Sequence, residues 1–114
     1  MDYFEGALTL EELKSAYRRL VMAYHPDRGG DSEIMKKINY QYARRVKKLE
    51  IKPRNFYELC IGHIVMVNNS RCVVTEVYKD YFKARSMDTL REAYFSKSTG
   101  YAMLNYKFRA KLLS

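Results

Sequence analysis

Cysteine is scarce in this chain of 114 residues: Cys60 and Cys72 are the only two, too few for a disulfide-built secreted scaffold. Proline and glycine are sparse as well, at two and five residues, which excludes collagen-like and linker-dominated sequences. No stretch approaches the roughly 20 apolar residues that a membrane-spanning helix needs. Asp2 and Glu5 stand where a secretory signal would have a basic start and an apolar run, so no such signal is expected. Acidic residues are outnumbered, 13 against 21 Lys and Arg. These absences point to a reducing, cytoplasmic setting with no membrane partner.

What remains is the composition of a folded chain, 47% hydrophobic and 30% charged, with a length that allows one domain or two very small modules. The formal net charge of +8 is uneven. Residues 1–50 carry ten cations and eight acids, a net +2, whereas residues 51–114 carry eleven and five, a net +6. The second half therefore tolerates an acidic partner, a protein face or a nucleic acid.

Pro53 divides two patterns. Before it, Leu10, Leu13, Tyr17, Leu20 and Tyr24 recur at spacings of three and four, one apolar stripe of a helix. Thr9 and Glu12 form a capping box at its start, and Pro26 ends it. Gly29 and Gly30 continue the break, and Asp31 or Ser32 caps a second helix. The stripe of that helix runs through Met35, Ile38, Tyr42 and Leu49 to a basic end at Arg44, Arg45, Lys47 and Lys48. Two amphipathic helices joined by a short loop are expected to pack antiparallel, with a short turn over residues 2–6 covering one end.

After Gly62 the period becomes two. Strands are expected over 63–67, 72–78, 81–86, 90–95 and 105–113, with 102–104 as an alternative helical turn. Five short strands in so few residues imply a small, partly open barrel of the SH3-like kind.

His25-Pro26-Asp27 sits in the loop between the helices. It follows a helix carrying Ala16-Tyr17-Arg18-Arg19-Leu20 and precedes Gly29-Gly30-Asp31 and a helix with Ile38-Asn39 and Tyr42. Over roughly residues 1–50 this resembles the J domain of the DnaJ co-chaperone family, and the Gly-Gly-Asp loop resembles the short J domains fused to unrelated partners. The resemblance implies a docking surface for a DnaK-class chaperone ATPase, whose hydrolysis the docked domain stimulates. Carried over by position, that surface comprises Lys14, Tyr17, Arg18 and Arg19 on the helix, the loop residues His25, Pro26 and Asp27, and Arg28 after it. The residue types suit the role. Lys14 and Arg18 share a helical face and cluster positive charge. Pro26 fixes a backbone angle, which lowers the entropy lost on capture, and Asp27 offers a carboxylate for an arginine. The chain also departs from the family. Its first helix is shorter, and no basic fourth helix, Gly/Phe-rich linker, zinc module or client-binding β-sandwich is present.

Tyr17 and Tyr24 also belong to the apolar stripe, which assigns them to the core more readily than to a contact. No nucleophile, metal-spaced ligand set or oxyanion device adjoins His25, so no enzymatic activity and no cofactor are expected. Cys60, His63 and Cys72 supply three metal ligands where structural zinc takes four, and small core cysteines account for them better.

In the second module, strand alternation places Lys107, Arg109 and Lys111 on one face, and Tyr81, Lys83 and Arg85 on one face of another strand. If those strands are neighbours, Lys83, Arg85, Lys107, Arg109 and Lys111 form a basic sheet face interleaved with tyrosine, a surface for a client protein or for single-stranded nucleic acid. The expectation is thus an α+β chain: a J-like helical hairpin over 1–52 and a small five-stranded SH3-like β-barrel over 56–114. Its expected role is that of a co-chaperone that locates a chaperone on a client or assembly. The alternative is a nucleic-acid-binding adaptor in which the hairpin is a scaffold.

Overall fold

The computed structural model describes residues 1–113 and divides into two compact units, Met1–Ile51 and Lys52–Ser114. The order of elements is α1 (Leu10–Tyr24), α2 (Ser32–Glu50), β1 (Ile64–Val67), β2 (Ser70–Val77), β3 (Tyr81–Ser86), β4 (Glu92–Ser96) and β5 (Ala110–Leu112). Two 3₁₀ turns, Pro26–Arg28 and Phe56–Glu58, were not foreseen from the sequence.

In the first unit α1 begins as its sequence dictates. The Thr9 hydroxyl accepts the Glu12 N–H at 3.1 Å while the Glu12 carboxylate reaches back to the Thr9 N–H, so two of the helix's orphan donors are satisfied at once. Asp31 caps α2 by accepting the Glu33 N–H at 2.8 Å. Leu13 and Ile38 are fully buried between the helices, with Ala16, Met35 and Phe4 around them. The pairings run in opposite senses: Tyr17 meets Asn39 and Tyr42, while Ala7, before α1, meets Arg45 further along α2. The helices are therefore antiparallel. The expected segment at residues 2–6 is a single turn in which Ala7 N–H donates to Phe4 C=O at 3.0 Å. It buries Phe4, whose ring lies 5.8 Å from that of Tyr42.

The second unit is a five-stranded antiparallel sheet of order β4-β3-β2-β1-β5, curled into a half-barrel. Bridges at Phe95–Ala102 and Tyr101–Arg109 partly span its open side. Its core is Leu59, Val65, Val67, Cys72, Val74, Phe82, Ala84, Phe95, Ala102 and Ala110, with Phe56, Phe82 and Phe95 stacked at 5.6 and 5.5 Å. In β3 and β4 the buried residues alternate as a pleated sheet demands. In β2 Cys72, Val73 and Val74 are buried in succession, and a register shift between Val74 and Glu76 then bulges the strand so that Val77 rather than Glu76 packs on the core.

Three expected strand boundaries are corrected by two residues or more. β2 begins at Ser70 rather than residue 72, pairing there with Val67. β4 begins at Glu92 rather than residue 90, because Leu90 has φ 64° and cannot sit in a pleated strand. The last strand is three residues, not nine. Residues 102–108 fold back on themselves through Ala102 N–H to Phe108 C=O at 2.8 Å and Phe108 N–H to Asn105 C=O at 3.2 Å. Residues 101–102 are extended bridges and not a helical turn.

Candidate functional site

The His25-Pro26-Asp27 loop is held by its own backbone. His25 N–H still belongs to α1, donating to Val21 C=O at 3.0 Å. Its carbonyl then accepts two donors from the far side of the loop, Arg28 N–H at 2.9 Å and Gly30 N–H at 3.0 Å. Pro26 occupies the first position of the 3₁₀ turn, where a missing N–H costs nothing. The His25 ring caps that turn: Nδ1 accepts the Asp27 N–H at 3.2 Å, which requires that nitrogen to be unprotonated. The Asp27 carboxylate lies 3.6 Å from the same nitrogen and is 90% exposed, while the His25 side chain is 42% exposed. The loop is thus closed by its own backbone hydrogen bonds and turned outward in its side chains.

Gly29 and Gly30 serve the loop in different ways. Gly29 has φ 80° and ends the 3₁₀ turn, its N–H donating to Pro26 C=O at 3.1 Å. Gly30 passes so near the end of α1 that a Cβ placed on it would lie 2.0 Å from the Tyr24 carbonyl oxygen and 2.2 Å from the carbonyl carbon.

Lys14, Arg18 and Arg19 are exposed on α1, and Arg28 is exposed after the loop. Among the described residues none of the four has a carboxylate within ion-pair distance. Their charge is therefore undiminished at the surface. Tyr17 is placed differently from these cations. It is half-buried, its hydroxyl donates to Asn39 Oδ1 at 2.7 Å, and its ring stacks on Tyr42 at 4.1 Å. It braces α1 against α2. Sequence reasoning overlooked Met22, which is 63% exposed and continues the row Lys14, Arg18 by a further step of four. Its place off the apolar stripe was the available signal.

In the second unit the conditional basic face does not form. β3 and β5 are not neighbours: β2 and β1 separate them on one side, β4 and the 101–102 segment on the other. Lys83 is held between Glu76 and Glu92, at 3.2 and 2.9 Å, with its ammonium 5.6 Å from the Tyr94 ring centroid. The two carboxylates push the Lys83 pKa up, Glu92 foremost. Glu76 in turn is lowered, first by the Tyr78 hydroxyl that donates to it and then by Lys83. Tyr78 is pushed up to about 12 by that same bond. This cluster satisfies itself. Arg85 stands opposite Glu92 in the register. Lys107, Arg109 and Lys111 are exposed, with Arg109 5.1 Å over the Tyr101 ring.

His63 is buried and its Nδ1 accepts the Cys60 N–H at 2.9 Å, so this spacing builds a turn. Cys72 is a buried core thiol, its pKa raised by burial and then by Asp88. Among the described residues no helix is long and apolar enough to cross a membrane.

Comparison with known proteins places partial homologues among the T antigens of polyomaviruses. The chain is 55% identical over 31 residues to the small t antigen of Budgerigar fledgling disease virus, a match covering 27% of this chain and 21% of that protein. The same identity over 31 residues relates it to 5% of that virus's large T antigen. The small t antigen of Bovine polyomavirus is 31% identical over 61 residues, 53% of this chain and 49% of that protein. The chain thus spans about half or less of the curated relatives it matches. No family model matches the chain, and no solved structure matches it.

Proposed function

We propose that this chain is a J-domain co-chaperone without enzymatic activity of its own. It docks on a DnaK-class chaperone and stimulates ATP hydrolysis there, while the β unit holds a client or assembly. The observation that carries this reading is the outward, backbone-locked His25-Pro26-Asp27 loop at the end of a helix whose Lys14, Arg18 and Arg19 are unpaired. The partial similarity to T antigens and the J-domain resemblance of residues 1–50 support it.

The geometry suggests a division of labour. The cations of α1 attract an acidic docking surface and set its orientation. Asp27, whose carboxylate is exposed, accepts a guanidinium from the partner, a pairing selective in both distance and angle. Because the loop is already ordered, capture costs little conformational entropy. The coupling to hydrolysis takes place in the partner.

Single-turnover ATP hydrolysis by a purified DnaK-class chaperone tests the proposal. The wild-type chain is expected to accelerate it and the His25→Gln variant to leave it at the basal rate, with the circular dichroism of the variant unchanged. Equal acceleration by both proteins would remove the claim. The nucleic-acid alternative is weakened by the placement of β3 and β5 and by the two carboxylates on Lys83, and no observation here favours it.

A further inference from the structure

We propose that one end of the β unit is a docking cleft for a short acidic-apolar peptide of a partner protein, with an apolar side chain seated in the cleft and flanking carboxylates on the cations around it. The cleft encloses about 360 Å³, near the small end of the range for ligand sites, roughly 300–1,000 Å³. It lies where the β1–β2 turn, the β3–β4 connection and Phe108 meet. Its floor is apolar and buried, made by Val67, Cys72, Ala84 and Phe95. Ala84 leaves the space open: two positions earlier on the same face of β3, Phe82 fills the core with its ring. Phe108 forms one lip and stands 44% exposed, an apolar ring left half in water beside an apolar floor.

The walls of the cleft are ordered in advance. Leu90 has φ 64° and is 67% exposed, a conformation uncommon for a bulky side chain and taken here at the last position of the β3–β4 turn. The connection that imposes it is tied down. Leu90 N–H donates to Ser86 C=O at 3.0 Å, and the Ser86 hydroxyl accepts the Asp88 and Thr89 N–H groups at 3.3 and 3.2 Å. Leu90 is thereby displayed between two residues that line the cleft, Thr89 and Arg91. Across from it, the Asn68 amide donates to Lys107 C=O at 2.9 Å and holds the Phe108 lip in place.

Charge selects the class of partner. Arg91 lines the cleft and meets no carboxylate among the described residues, while Glu92, the one acid in the lining, is drawn away to Lys83. Arg71, Lys107 and Arg109 lie on the bounding segments and are exposed, with Asp88 the acid among them. An apolar group with carboxylates on either side complements such a surface. Single-stranded nucleic acid would use the same cations, but it needs exposed ring faces on which bases stack. The lining offers only Phe108.

Panning a phage-displayed library of random peptides on the intact chain tests the proposal. Enriched peptides are expected to place Leu, Met or Phe beside Asp or Glu. A synthetic copy should shift the amide resonances of Val67, Cys72, Ala84 and Phe95. Its affinity should fall roughly tenfold in Arg91→Glu and in Phe108→Ser, and the His25→Gln chain should bind it undiminished, which separates this site from the chaperone reading. Arg91 and Phe108 are both exposed, so neither variant endangers folding. Failure to enrich any peptide over an Arg91→Glu/Phe108→Ser control, enrichment of basic peptides, or shifts confined to residues away from the cleft would overturn it. So would a single-stranded oligonucleotide that displaces the peptide and moves the same resonances, which would assign the cleft to nucleic acid.

Discussion

Replacing Gly30 with alanine should do more damage than replacing Gly29, although a reading by backbone angle alone ranks them the other way. Gly29 has φ 80° and nothing within 4 Å of a Cβ placed on it, so alanine there meets only the left-handed penalty, about 1–2 kcal/mol. Asparagine, which tolerates that region, should cost less. At Gly30 the new Cβ would lie 2.0, 2.2 and 2.6 Å from the oxygen, carbonyl carbon and Cα of Tyr24. Ordinary contact begins near 3.4 Å, so the loop must retreat by about 1.4 Å (3.4 minus 2.0). All three atoms are backbone and none can rotate aside. Retreat lengthens the Gly30 N–H to His25 C=O bond, now 3.0 Å. Overpacking of roughly 1–3 kcal/mol and a lost hydrogen bond of about 1 kcal/mol together give ~2–4 kcal/mol. A unit of 51 residues has a stability at the low end of the usual ~5–15 kcal/mol, so this fraction is large. Urea unfolding followed by helical circular dichroism gives the ranking, and stimulation of chaperone ATP hydrolysis shows whether the loop has moved. If Gly30→Ala unfolds at the wild-type midpoint with the His25 and Asp27 resonances unshifted, the close approach is not what positions the loop and the reasoning is refuted.

Reversing charge at Lys14 and Arg18 together, each to Glu, should cut stimulation roughly tenfold or more while moving stability by less than about 0.5 kcal/mol; a thermal melt beside the single-turnover assay checks both. Arg45→Met keeps the length of the side chain but removes its bond to Ala7 C=O, 2.6 Å, and should lower the urea stability of the helical unit by about 1.5–3 kcal/mol, with faster amide exchange at Phe4 and Ala7. The β unit should show two pH limits. Glu76 is lowered by Tyr78 and Lys83 and Glu58 by the Arg54 N–H, so their contribution is complete above the ordinary value of 4.5 and is lost as pH falls through the lowered ones. Tyr78 is raised, so its contribution is complete below 10.0 and is lost as pH rises toward about 12. Urea midpoints across pH should decline at both ends, and Glu76→Gln should flatten the alkaline limb and reduce the acid one, where Glu58 remains.

The helical unit was largely legible because its signals are local. Thr9 and Glu12 cap α1, Pro26 closes it, Asp31 opens α2, and the stripes through Leu13 and Ile38 name the core; each of these depends on residues within one or two turns. The loop tripeptide was legible as a motif, but the way its backbone closes was not. That rests on the double acceptor at His25 C=O and on Gly30 against Tyr24, a contact set by how the helices close. In the β unit the alternation showed which residues share a face but not which strands are neighbours. Register and order are fixed by turns and by a bulge at Val74–Glu76, and these decided that Lys83 faces two carboxylates rather than a ligand. The last strand was overread because 105–109 alternates as a strand does, while Phe108 folds back to Ala102 instead of pairing along its length.

Only a short turn precedes α1, which raises the question of what keeps α1 and α2 aligned closely enough to hold the loop between them. The answer lies in side chains of α2 that take over backbone duties before α1. Tyr3 N–H donates to Gln41 Oε1 at 2.9 Å, Gln41 Nε2 donates to Met1 C=O at 2.7 Å, and Arg45 donates to Ala7 C=O. These bonds satisfy groups that a continuing helix would have paired internally, and they lash the turn to α2 over a span of about 40 residues. Under that strap Phe4 packs on Tyr42, and Tyr42 stacks on Tyr17, whose hydroxyl reaches Asn39. The chain of contacts therefore runs from the turn through α2 to the middle of α1, where Tyr17 lies one turn from the exposed Lys14. Tyr17 and Asn39 then belong to the scaffold that aims the loop. Loss of either should loosen the presentation of His25 and Asp27 while leaving the exposed Lys14, Arg18 and Arg19 in place.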